Sequence, residues 1–126
     1  MTWDIQRALY QALKSANVAG GNVYDEPPRR ARPPYVNFGA IQSLELDTTG
    51  GPGGELFVTL DAWSDHKGWR ELHEIEADIR AALHTRSFTV PGLSSCTAWV
   101  TDARHMRDPD GETRHGIITV RIIHQR

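Results

Sequence analysis

Residues Glu55–His84, ELFVTLDAWSDHKGWRELHEIEADIRAALH, change their hydrophobic period half-way along. Leu56, Val58, Leu60 and Ala62 alternate with Phe57, Thr59, Asp61 and Trp63, the period of two that sends successive side chains to opposite faces of a strand. Trp69, Leu72, Ile75, Ile79 and Leu83 are then spaced by three or four, the stripe of an amphipathic helix. Between the two runs lies Ser64-Asp65-His66-Lys67-Gly68, where Ser64 or Asp65 is placed to cap the first free N–H groups of the helix. The stretch predicts a strand that turns and returns as a helix covering its own sheet.

The flanks follow the same two periods. Thr2 is expected to cap a first helix with Ile5, Leu9, Ala12, Leu13 and Ala16 on its apolar face and Gly20 or Gly21 as its stop. Val23-Tyr24 reads as a short strand or a tether. From Tyr35 to Leu46 the chain alternates, with Val36, Phe38, Ala40, Leu44 and Leu46 on one face and Tyr35, Asn37 and Ile41 on the other. The connection Asp47-Thr48-Thr49-Gly50-Gly51-Pro52-Gly53-Gly54 then suggests a hairpin with a mobile glycine-rich tip.

Thr85–Gly92 reads as a loop, followed by Ser95–Arg107 and Glu112–Arg126 as a second hairpin around the turn Asp108-Pro109-Asp110-Gly111. Cys96, Ala98 and Val100 align on one of its strands, and Ile118, Val120 and Ile122 on the other. The order helix, hairpin, helix, hairpin predicts one α+β domain over residues 1–126. Its antiparallel sheet has four or more strands in two long hairpins, with two helices packed on one face. The other face would carry Tyr35, Trp63, Trp99, Ile117 and Ile123, an apolar surface suited to a partner.

Composition narrows the classes. The 126 residues suffice for one core, and the formal charge of −2 argues against a general nucleic-acid binder. Cys96 is the one cysteine, so neither an intramolecular disulfide nor a cysteine metal cage can form. No basic-then-apolar N-terminal segment signals secretion, and no apolar run reaches the roughly 20 residues that span a bilayer. A soluble, cytosolic chain with no membrane partner is expected.

Tests for chemistry return little. His105 and His115 are placed to face each other across the second hairpin near Asp102, but a third and fourth zinc ligand are not evident. Asp108 and Asp110 lack the later acidic positions of a calcium loop. Gly-Leu-Ser-Ser-Cys at 92–96 is not a nucleophile elbow, and the glycine tip lacks the Lys-Ser/Thr of a phosphate loop. Nothing assembles a nucleophile, a base and oxyanion donors, so no catalytic residue, cofactor or metal is expected. Two segments remain as candidate partner contacts. One is Arg29, Arg30 and Arg32 in the proline-rich crossing Asp25–Pro34, and the other is Gly50, Gly51, Pro52, Gly53 and Gly54. The three arginines also leave open a small nucleic-acid-binding or regulatory module.

A co-linear set of short pieces adds a resemblance. These are Ala8-Leu9-Tyr10-Gln11-Ala12-Leu13-Lys14, Val23-Tyr24-Asp25-Glu26-Pro27 and Pro34-Tyr35-Val36, then Asp61-Ala62-Trp63-Ser64 before Gly68, the helix with Ile75 and Ile79, and Arg107–Gly116. In this order and spacing the chain resembles the tail completion (tail terminator) proteins of long-tailed bacteriophages, prophages and gene transfer agents. The resemblance implies a non-enzymatic structural protein whose ring, expected to be a hexamer, caps the tail tube and docks to the head connector. Its partners would be copies of itself, the tail tube protein and the head–tail connector protein, with DNA as passing cargo only. Its place would be the head-proximal end of the virion tail, after assembly in the host cytoplasm.

Overall fold

The computed structural model describes residues 1–48 and 51–126. Helix α1 (Thr2–Ser15) leads through a 3-10 turn (Val18–Gly21) to strand β1 (Val23–Tyr24). Strands β2 (Tyr35–Thr48) and β3 (Gly51–Ser64) form the first hairpin, followed by helix α2 (Arg70–Leu83) and strand β4 (Arg86–Ser87). Strands β5 (Ser95–Arg107) and β6 (Arg114–Gln125) form the second hairpin. The six strands make one sheet in the order β1-β2-β3-β6-β5-β4. Every pairing is antiparallel except β1 with β2, so the sheet is mixed where an antiparallel one was expected. Two residues of parallel strand are cheap here because the crossing 25–34 carries the chain back to the same end of the sheet.

The decisive stretch folds as its period predicts. Leu56, Val58, Leu60 and Ala62 are buried beneath α2, whose Leu72, Ile75, Ile79 and Leu83 are buried in return. Ile5, Leu9 and Leu13 bring α1 into the same core, which Ile118, Val120, Ile122, Cys96, Ala98 and Val100 complete from the second hairpin. Ser64 does not cap α2. The helix begins after Trp69, and the Ser64 hydroxyl donates to Glu71 Oε1 (2.6 Å) while accepting from the His66 N–H (3.2 Å), pinning the turn to the first helical turn. Helix α1 likewise begins one residue early, with Met1 rather than Thr2 at the cap position.

Two β-bulges reset the alternation. In β2, Phe38 pairs with Leu60 but Ile41 with Val58, so two residues oppose one. Beyond this bulge Ile41, Ser43 and Glu45 face the helices, and Leu44 and Leu46 turn to the opposite face. This corrects the expectation that Leu44 and Leu46 share the face of Val36 and Phe38. A matching bulge in β5 lies between Val100 and Asp102, after which Ala103, His105 and Arg107 take the helix side.

Candidate assembly surfaces

The face of the sheet away from the helices is built by the odd-numbered residues of β3 and β6. An aromatic row crosses four strands there: Tyr24 lies edge-on to Tyr35 at 5.9 Å, Tyr35 is 6.4 Å from Trp63, and Trp63 stacks on His115 at 3.9 Å. Hydrogen bonds fix the row, because the Trp63 indole N–H donates to Asn37 Oδ1 (2.9 Å) and His115 Nε2 contacts Asp61 Oδ1 at 2.8 Å. Burial, with Tyr24 alongside, pushes the Tyr35 phenol above its usual pKa. Arg121 pairs with Glu55 further along the face, between Phe57 and Ile123.

On the helix side, His105 reaches Glu76 Oε1 at 2.6 Å, off the line of an aligned ring N–H bond, and sits edge-on to His73 at 4.8 Å. Burial works to raise the Glu76 pKa, but the Arg80 guanidinium (2.9 Å) and His105 outweigh it and hold the carboxyl below its usual value. His105 and His115 therefore point to opposite faces of the sheet, so the pair that the sequence places across the hairpin does not meet. Among the described residues no group of three or more His, Cys, Asp or Glu side chains could hold a metal ion.

The glycine-rich segment is not the loop the sequence suggested. Gly50 lies outside the described residues, whereas Gly51, Pro52, Gly53 and Gly54 open strand β3 and pair with Thr48 to Glu45. Gly53 and Gly54 are also paired to Gln125 and His124. Close packing requires glycine here: a Cβ on Gly53 would come within 2.6 Å of the His124 carbonyl oxygen, and one on Gly54 within 2.6 Å of His124 Nε2. Arg29, Arg30 and Arg32 lie exposed on the crossing, which is ordered by an Ala31 N–H to Pro28 carbonyl turn of 2.9 Å. In sequence they lie between Tyr24 and Tyr35, the two tyrosines of the aromatic row.

The sequence reading missed the outer edge of β2. Strand β1 covers this edge only at Val36 and Asn37, and beyond it Ile41, Leu44 and Leu46 are 36, 41 and 39% exposed. The signal was Gly39. A Cβ there would lie 2.5 Å from Asp61 Oδ2, and a glycine inside a strand pattern marks a bulge.

The profile described as Tail completion protein gp17 matches residues 7–125. The chain belongs to the tail completion protein gp17 family. The gp17 tail completion protein of Bacillus phage SPP1 is 27% identical over 130 residues, spanning 97% of this chain and 96% of the phage protein. A chain in the virion of a native gene transfer agent particle has the same fold, with a TM-score of 0.85 at 20% identity, covering 99% of this chain and 97% of that one. Membership of the gp17 family makes the role a structural one in phage tail assembly.

Proposed function

We propose that the chain is a non-catalytic virion subunit that closes into a ring, expected to be a hexamer, at the head-proximal end of a tail tube. There it ends the tube and offers a surface to the head connector. Assembly takes place in the host cytoplasm from soluble subunits, with DNA passing through the finished ring. The observation that carries this reading is the match of the gp17 family profile over residues 7–125. Heterologous contacts that close by rotation build such rings. A near-neutral formal charge suits a channel that must not retain DNA.

Deletion of the protein from its producing particle tests the reading. Overlong or headless tails support it, and normal, joined tails refute it. The exposed Arg29, Arg30 and Arg32 keep a nucleic-acid reading testable. Salt-dependent DNA binding lost on neutralising the three would favour a binding module over the ring.

A further inference from the structure

Helix α1 and strand β1 enclose a cleft of about 340 Å³. Trp3, Gln6, Arg7 and Tyr10, spaced by three or four along one flank of α1, form one wall, and Val23 and Tyr24 form the other. The cleft is pre-formed, because the Gln6 side-chain amide donates to Asp25 Oδ1 (2.6 Å) and ties the helix to the chain beyond β1. Trp3 is 57% exposed, more than any other large apolar side chain among the described residues. Its indole has neither a hydrogen bond nor a ring partner among them. An open tryptophan beside tyrosine and arginine is the composition of an interface anchor rather than of a solvated helix flank.

Charge indicates the occupant. Residues 1–34 hold five of the 14 Lys and Arg of the chain but three of its 16 Asp and Glu, although the whole carries −2. Two of those three acids are engaged, Asp4 with the N-terminal ammonium (3.9 Å) and Asp25 with Gln6. Arg7, Arg29, Arg30 and Arg32 are exposed and have no carboxylate partner among the described residues. Arg29 stands three residues past Glu26, which lines the cleft, so the two Cα atoms lie within about 11 Å of each other. The turn from the Ala31 N–H to the Pro28 carbonyl keeps Arg30 and Arg32 close to the same wall.

We propose that the α1–β1 cleft binds an acidic protein segment of another particle component. One apolar side chain of that segment seats against Trp3 and Tyr10, while its carboxylates meet Arg7 and the arginines of the crossing. Guanidinium and carboxylate groups pair bidentately, which makes such a rim selective. A second copy of this chain is a poorer occupant, since two such flanks set about a two-fold axis would oppose their arginines. A nucleic acid is poorer too, because Asp25 and Glu26 stand in the cleft wall and would meet its run of phosphates. The proposal rests on the reading of the chain as a tail component and gives one of its partner contacts a chemistry.

The full-length chain can be tested with photo-cross-linking benzoylphenylalanine in place of Gln11, an exposed residue of the cleft lining, irradiated in assembled particles. The expected product is a covalent link to a different protein, at a segment where Asp or Glu residues flank an apolar one. Trp3→Ala should cut the yield per expressed chain about tenfold, and Arg29→Glu, Arg30→Glu and Arg32→Glu combined should cut it about as far. Trp3 and the three arginines are exposed, so both variants should keep the wild-type melting curve. The same probe at the exposed Glu112, beside the turn of the second hairpin, should not give this product. Links confined to another copy of this chain, links to DNA, or a partner segment without acids would each overturn the proposal. So would a yield indifferent to the charge reversal, or no link from position 11 at all. The tail reading fails separately, through normal, joined tails in the deletion, so a silent cleft together with overlong tails refutes the cleft contact alone.

Discussion

Gly54 lies directly beneath the His124 imidazole, so close that a Cβ would come 2.6 Å from Nε2 and 3.0 Å from the Leu44 carbonyl oxygen. The glycines at 53 and 54 are thus sites of close packing between β2, β3 and β6. Gly53→Ala, which meets the His124 backbone, should cost about 1–3 kcal/mol in urea unfolding. Gly54→Ala should cost less, because the His124 ring can give way, and His124→Ala should relieve part of the loss in a double-mutant cycle. Alanine at both positions without loss of stability would refute the packing account.

His124 also sets a pH dependence. Burial, with Arg126 and the N-terminal ammonium, holds its pKa below the usual 6.5. The folded state therefore binds fewer protons than the unfolded one between the two pKa values. The stability this contributes is fully present above pH 6.5 and is lost as pH falls from there through the folded pKa. Thermal melts of wild type against His124→Gln between pH 5 and 8 should diverge in that window, with the wild type alone losing stability on acidification.

Glu76 acts in a lower window. Held down by Arg80 and His105 against the opposing effect of burial, its carboxylate stabilises the fold above its usual value of 4.5. That contribution disappears as pH falls through the depressed folded pKa. Glu76→Gln should flatten the acid limb of the stability profile below pH 4.5 without changing its shape above pH 6.5.

Leu72 and Leu60 are at most 1% exposed and face each other's elements across the helix–sheet layer. Either leucine changed to alanine should lower the unfolding free energy by about 2–5 kcal/mol. Leu44→Ala, 41% exposed on the open edge, should cost under about 0.5 kcal/mol in the monomer. Chemical denaturation of the three variants measures the contrast, and a large loss at Leu44 would show that this edge is covered within the chain.

Asn37 tests the aromatic row. Asn37→Ala removes the acceptor of the half-buried Trp63 indole N–H and should cost about 1 kcal/mol in the same assay.

Much of this was legible in the chain. The change of period between Trp63 and Trp69 sets a strand before a helix, and the Asp108–Gly111 turn closes the second hairpin through the Gly111 N–H to Asp108 carbonyl bond of 2.9 Å. The co-linear pieces from Ala8 to Gly116 pointed to the family that the profile match shows. The faces of Leu44 and Leu46 were misread because an alternation rule presumes an unbroken ladder, and one extra residue beside Gly39 inverts everything after it. Gly51–Gly54 were misread because glycine serves both turns and close approach, and the sequence does not distinguish them.

Periodicity and turn chemistry are local, so the sequence by itself determined the two helices, the two long hairpins, their order and the core residues outside the bulged half of β2. Which strands become neighbours is not local. Tertiary structure alone decided that β3 pairs with β6, that β1 and β4 cover only part of each edge, and that two bulges leave acidic and basic segments open at opposite ends of the sheet. Those outcomes depend on long-range pairing, which no window of residues contains.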